Sequence, residues 1–513
     1  MRLTRRDFVK FTGIGISTFL GMSLLGCTKK ETFKDTLVIG YADDLKLRGD
    51  PAKIDRSIPK FCVLERLIEY DLSSDDFVPS LAKKWEIEND GKRIVFELRK
   101  GILFSDGTEM DANAVKFTYD ILVVRKHSVA PKSVEVIDDY TVAFNFDEAW
   151  VLNFAKLQDV HGLGVMSPKS VEPEGDPNGT LVNLIGTGPF KVVEYVENQY
   201  TVLEPNRYWF ERTGLEPKIK KLIVKVIPDE DTRVLALRSG EVDVLIDNYH
   251  GGYDYTPRNQ LSALKRDGFK VLTKNIPYTW IVAFNYKKEP FNDVEMRWAV
   301  NYAINRDEIA KIFDEWVRPA WDGMFPPEAP GMAEANVRYE YYLEKARDIV
   351  SGKDVGEIKF IVDNSQSDQV LVAQLVQQQL KDVGLNVKLE TLERGVYRDR
   401  VRSGDYDLRI YYIGGSERTF YMRIFWRFLP PEKPWKVYMS DNVTEKAMAV
   451  VKEFDKTKRR QKFVEFYKAL YEEAGVAPLY YEVVAVVEKP NVEGVKFEYS
   501  EPRFYSAYVR AYA

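Results

Sequence analysis

Histidine is scarce in this chain, with three in 513 residues, at positions 127, 161 and 250. Hydrolytic chemistry with zinc or an activated nucleophile commonly uses histidine at set spacings, and no H-E-x-x-H, G-x-S-x-G or Cys-His pattern occurs, so its usual parts are lacking. Three scattered histidines give no metal-ligand spacing either. His161 is a weak metal candidate, against a structural, hydrogen-bonded histidine as the favoured reading. With 79 acidic residues, carboxylate pairs of the glycosidase kind remain open, because abundance is not geometry. No cofactor motif is present. What the sequence does offer are side chains suited to recognition. Residues 414–420 read GGSERTF: Gly414 and its neighbour let backbone approach a ligand, Ser416 donates or accepts, and Glu417 and Arg418 answer charged ends. The competing reading is a solvated surface turn. Residues 248–255 read NYHGGYDY, in which Tyr249 and His250 supply aromatic area and hydrogen bonds, against an exposed loop that stacks on itself. Tyr41, Asp43 and Tyr412 complete the candidate set at strand ends.

These residues must be positioned by the elements around them, and ligands in open α/β sheets sit beyond the carboxyl ends of strands. Residues 36–42 (TLVIGYA) and 242–246 (VDVLI) read as such strands, as does 406–414 (YDLRIYYIG). Residues 358–363 and 386–392 read as two more, around a helix over 368–383 that turns Val372, Leu375, Val376 and Leu380 inward, with a short helix at 397–402. That β-α-β order predicts parallel strands with right-handed crossovers. Asn89-Asp90-Gly91 between alternating runs predicts a hairpin, and a second is expected over 133–146 around Asp138-Asp139. Asp111 and Asp293 are placed to cap helices, the second burying Trp298 and Tyr302. The apolar spacing of 64–72 predicts a further helix. Gly186 and Gly188 are read as residues that adopt φ angles closed to others.

A chain of 513 residues exceeds what one core supports, so two or more lobes are expected. Its net charge of −5 leaves no footprint for nucleic acid. Residues 1–26 have the layout of an export signal: Arg5-Arg6 before an apolar stretch that ends at Cys27. They resemble a twin-arginine signal with a lipobox, which implies acylation of Cys27 and a polar tether over 27–35. An uncleaved anchor helix is the alternative, and either places the globular part outside the cytoplasm. Cys62 then has no disulfide partner and reads as a buried small hydrophobe.

The stretch 94–122 (IVFELRKGILFSDGTEMDANAVKFTYDIL), with GTGPF at 186–190, EPNRYW at 204–209, LALRSGEVD at 235–243 and RWAVNYAINR at 297–306, resembles the family-5 extracellular solute-binding proteins. These are the peptide- and nickel-binding group of ABC importers. The resemblance implies an α/β, two-lobed periplasmic-binding-protein-like fold (type II, cluster C), with two hinge strands. It places lobe one at 36–284 with an extra subdomain at about 80–185, lobe two at 285–478, and a return to lobe one at 479–513. The first crossing is expected near 284–290 and the second near 477–484. It further implies a monomeric, non-enzymatic protein on the outer face of the cytoplasmic membrane, held by a lipid anchor, that takes a small solute of peptide type and passes it to a permease and its ATPase. Peptide-binding members commonly carry an aspartate in a Trp- and Asp-Pro-rich loop where this chain has Gly414 to Phe420, and Glu417 is the nearest substitute. Nickel-binding members have an arginine near the position of His161, and none stands here, so a nickel or metal-chelate ligand is the minority alternative on the same fold, ahead of a secreted hydrolase.

Overall fold

Alternating and continuous apolar runs build one large sheet. Its strands are β1 (Thr36–Tyr41), β2 (Phe190–Val196), β3 (Tyr200–Pro205), β4 (Lys221–Val226), β5 (Val244–Ile246), β6 (Lys270–Phe284), β7 (Val317–Pro319), β8 (Glu357–Asp363), β9 (Asn386–Leu392), β10 (Leu408–Ile413) and β11 (Ala477–Glu488). The computed structural model describes residues 33–54, 58–71, 74–158, 164–246, 256, 258–414, 424, 428–429, 437, 440–498 and 501–510. Among these the strand order is β2-β3-β4-β1-β5-β11-β6-β10-β8-β9, with β7 against β11. β1 runs parallel to β4 and β5, and β8 runs parallel to β9 and β10, as the β-α-β pattern predicted. β6 and β11 are antiparallel to each other and join the two parallel halves.

Each half has its own core on both faces of the sheet. Leu37, Ile39, Val244 and Val486 belong to one cluster and Leu245, Leu261, Ala485 and Val487 to another, both in the first lobe. Val282, Val372, Leu479 and Val484 form a third cluster and Ile281, Ala283, Ile413 and Phe466 a fourth, both in the second lobe. Burial of each such side chain contributes roughly 1.5–3 kcal/mol, so each lobe is held by its own interior. A separate four-stranded antiparallel sheet (Ala82–Glu88, Arg93–Leu98, Thr141–Asn145, Ser133–Asp138) with helix Ala112–Val124 forms the extra subdomain.

Local sequence logic explains most of these elements. Asn89, Asp90 and Gly91 all take left-handed φ angles in the predicted hairpin turn. Asp111 accepts a hydrogen bond from the Ala114 N–H at 2.8 Å, and Asp293 one from Glu295 at 2.9 Å, as helix caps. Three expectations fail. Residues 64–71 are not helical: a helix stops at Val63, and Ile68–Asp71 pairs as an antiparallel strand with Asp76–Pro79, which recruits the apolar run into a ladder. Trp298 and Tyr302 are half-buried, stacked at 5.3 Å on the outer side of helix α2 (Val294–Ala303), whose core face is Met296, Ala299, Val300 and Ala303. Gly186 and Gly188 have no positive φ; side chains there would strike the Val63 carbonyl, at 2.1 and 2.8 Å from their Cβ atoms, so close approach is what requires glycine. Cys62 is buried, and burial pushes its thiol up to about 12, which fits an inert core residue.

At the far end of β11 stands a carboxylate under strain of another kind. Glu488 is 2% exposed, and burial pushes its pKa up to about 7 although Lys270 tempers the shift. Its proton is held more tightly in the folded state, so the ionised form costs stability as pH rises from about 4.5 through 7. Glu488→Gln is expected to raise stability at pH 8 by about 1–3 kcal/mol and to leave it unchanged at pH 4, as read by denaturant melts at both pH values. Equal effects at the two pH values would contradict this.

Candidate functional site

The register of the ladders locates the place where the lobes meet. β5 ends at Ile246, opposite Val486, which is itself opposite Leu272. β10 ends at Ile413, opposite Thr279, which faces Tyr481. Strands of both lobes therefore run their carboxyl ends toward one short stretch, residues 273–278 of β6 and 482–485 of β11. In that stretch the ladder is irregular, with a register shift between Asn275 and Tyr278. The shift interrupts the regular ladder at one step, which suits the stretch to bend although Tyr278, Glu482, Val484 and Ala485 within it are buried.

A buried polar knot sits beside it. Arg258 opens helix α1 (Arg258–Arg266) of the first lobe and is 3% exposed. Its Nε lies 3.0 Å from Glu482 Oε1, and its guanidinium donates to the carbonyls of Val483 at 2.9 Å and Thr256 at 2.9 Å. The other oxygen of Glu482 accepts the Trp280 indole N–H at 2.9 Å. The backbone N–H of Arg258 donates to Asp368 Oδ2 at 2.9 Å. Asp368 lies in the first turn of helix α3 (Ser367–Asp382) of the second lobe, so one carboxylate is placed at two helix N-termini. Ser367 Oγ adds a bond to Glu230 at 3.0 Å, and Gln369 donates to the Tyr480 hydroxyl at 2.9 Å. Desolvating an ion pair costs several kcal/mol per ion, and such a pair persists only where further hydrogen bonds complete it, as here.

Aromatic rings line the second-lobe side. Tyr278 and Tyr412 stack with centroids 5.1 Å apart, and Trp280 meets Tyr412 edge-on at 5.5 Å. Tyr411 carries the Arg409 guanidinium over its ring at 4.3 Å. On the first-lobe side the chain leaves β1 in a constrained loop: Lys46 and Arg48 take left-handed φ angles of 58° and 69°. Asp44, buried behind it, accepts hydrogen bonds from the Tyr195 hydroxyl and from the Lys46 N–H. Burial and that carboxylate both hold the Tyr195 hydroxyl well above the usual phenol range.

Of the candidates from sequence, Tyr412 lies in the aromatic stack and Gly414 directly follows β10. Asp43 is half-buried in the loop after β1, and Tyr41 is 1% exposed within the first-lobe core. Tyr249, His250, Ser416, Glu417, Arg418, His161 and Cys27 lie outside the described residues. Sequence reasoning missed Arg258, Glu482, Asp368 and Trp280. One signal was available: Glu482 is a lone charge inside the apolar run APLYYEVVAVV, and a buried charge requires a partner. Among the described residues no three His, Cys, Asp or Glu side chains group as metal ligands.

The knot generates a test of its own. Glu482→Gln or Arg258→Met alone is expected to destabilise the protein by about 3–5 kcal/mol, because each leaves a buried charge without its partner. The double substitution Arg258→Met with Glu482→Leu is expected to recover most of that loss in a denaturant melt. Losses that simply add would show that the pair is not coupled.

Comparison with known proteins agrees with this geometry. The model of the bacterial extracellular solute-binding proteins, family 5, matches residues 76–431. The probable D,D-dipeptide-binding periplasmic protein of Escherichia coli (strain K12) is 26% identical over 489 residues, 90% of this chain and 92% of that protein. The crystal structure of NikA from Brucella suis in complex with Fe(III)-EDTA superposes with a TM-score of 0.81 at 22% identity, over 93% of this chain and all of that one. AppA from Bacillus subtilis in complex with a nonapeptide superposes with a TM-score of 0.71 at 21% identity, over 94% of this chain and all of that one. The match to well over half of the chain, together with the shared two-lobed fold, shows that this protein belongs to family 5 of the bacterial extracellular solute-binding proteins.

Proposed function

We propose that the chain captures a small solute of peptide type between its lobes and delivers it to an ABC permease and ATPase, without chemical conversion. The observation that carries this reading is the convergence of strand ends from both lobes on the stretch where β6 and β11 cross between them. Two lobes so joined close by rotation about the two strands, and closure removes water from the walls between them. Tyr411 and Tyr412, half-buried at the end of β10 and backed by Tyr278 and Trp280, supply area for side chains of varied shape. The relatives that bind a dipeptide and a nonapeptide support the solute class.

The hinge in this reading lies at residues 273–278 and 482–485, within the long strands. That is earlier in the chain than the first crossing expected from sequence at 284–290 and at the end of the second, because β6 does not stop at the lobe boundary but runs through it. Lobe one then comprises 36 to about 275 with the extra subdomain and the C-terminal return, and lobe two the residues between. Export by the twin-arginine signal, acylation of Cys27, anchoring at the outer membrane face and action as a monomer complete the proposal.

Native mass spectrometry of the protein incubated with a tryptic digest of casein is expected to show retained peptides, and none bound from that digest or from host extract would contradict the reading. With a retained peptide in hand, Glu417→Ala and Arg418→Ala are each expected to weaken binding roughly tenfold or more in calorimetry, as for lost charge-assisted contacts. Unchanged affinity in both would remove that loop from the site.

A further inference from the structure

The extra subdomain touches the second lobe at a place separate from the crossing strands. Phe454 stands at the turn between helices α4 (Asp441–Lys452) and α5 (Lys456–Glu472), and its ring covers Gly91 in the hairpin turn. A Cβ at Gly91 would lie 2.2 Å from Phe454 Cζ, so the ring fills the space that glycine leaves. Beside it the Val151 N–H donates to the Val451 carbonyl at 3.0 Å, and Lys456 Nζ donates to the Ser74 carbonyl at 2.5 Å. Phe77 and Trp150 from the subdomain pack on the second-lobe core, and Phe454 packs against both cores.

Both sides of this contact are set in advance. Asp455 caps α5 by accepting from Lys458 at 2.8 Å, while Arg459 holds the carbonyls of Glu453 and Phe454 at 3.2 and 3.0 Å. On the other side Asn153 donates to the carbonyls of Glu148 at 2.8 Å and Gly91 at 3.4 Å. The contact is nevertheless narrow. A cavity of about 880 Å³, lined by Ser74, Asp75, Pro327, Pro330, Lys456 and Arg460, opens along the same seam, and Phe454 is only half-buried. A contact made by Phe454, Phe77, Trp150 and Val151 with two hydrogen bonds to backbone carbonyls can part without unfolding either lobe.

We propose that Phe454 and Gly91 form a clasp by which the extra subdomain grips the second lobe, and that its strength sets how much of the empty protein is shut and how long a solute is held. This rests on the capture reading above. Because the shut form is the one that retains solute, weakening the clasp lowers apparent affinity by the loss in shut population.

The test uses Val151→Cys with Val451→Cys in a Cys27→Ser background, since the two backbones are close enough for a disulfide. The empty protein is expected to cross-link under mild oxidation, and adding Phe454→Ala is expected to slow cross-linking about tenfold, the size of one truncated interface aromatic. With Phe454→Ala alone and no new cysteine, peptides retained from a casein digest are expected to leave about tenfold faster, and Phe454→Leu is expected to fall between. No cross-link in the parent pair, or a cross-linking rate and a release rate both unaffected by Phe454→Ala, would overturn the clasp. A protein that retains no peptide yet shows Phe454-dependent cross-linking keeps the clasp and loses the capture reading.

Discussion

A single buried arginine ties this molecule together. Arg258 belongs to a first-lobe helix, its guanidinium is neutralised by Glu482 on a crossing strand, and its backbone N–H is capped by Asp368 of a second-lobe helix. Two lobes with independent cores are otherwise joined by two strands and by the contact of the extra subdomain with the second lobe. Polar groups withdrawn from water tolerate little displacement, since any lost partner leaves a desolvated charge behind. The knot therefore fixes the pivot while leaving the lobes beyond it free to swing.

This division of labour follows from what each interaction can do. Apolar clusters make the lobes rigid, because close packing resists deformation. The register shifts between Asn275 and Tyr278 and between Trp280 and Ile281 interrupt the ladder where rigidity would hinder rotation. Strand ends and the loop that follows β1 are carried toward the crossing by the rigid parts. Closure then brings recognition surfaces together with no change inside either lobe, the behaviour of a hinged pair rather than a sheared one.

Much of the fold was legible because its signals are local. The turn at 89–91, the caps at Asp111 and Asp293 and the β-α-β run ending at Ile413 depend on neighbours a few residues away. What failed was decided at long range. Ile68–Asp71 became a strand because Asp76–Pro79 was there to pair with it, and Trp298 faces outward because its partners Tyr302 and Tyr471 form a surface stack. Arg258 was invisible for the same reason: its partners Asp368 and Val483 lie 110 and 225 residues away. The strand ends at Ile246 and Ile413 were legible, but the network beside them was not, and most of the candidate residues that follow those ends lie outside the described residues.

The central claim is mechanical, and a distance measures it. Single-molecule energy transfer between dyes attached through Lys220→Cys and Lys388→Cys, exposed positions on opposite lobes, reports the angle between them. The account predicts a shift toward one short-distance population when peptides from a casein digest are retained, with the empty protein sampling longer distances. A solute that binds stoichiometrically while the distance distribution stays as it was would contradict capture by closure.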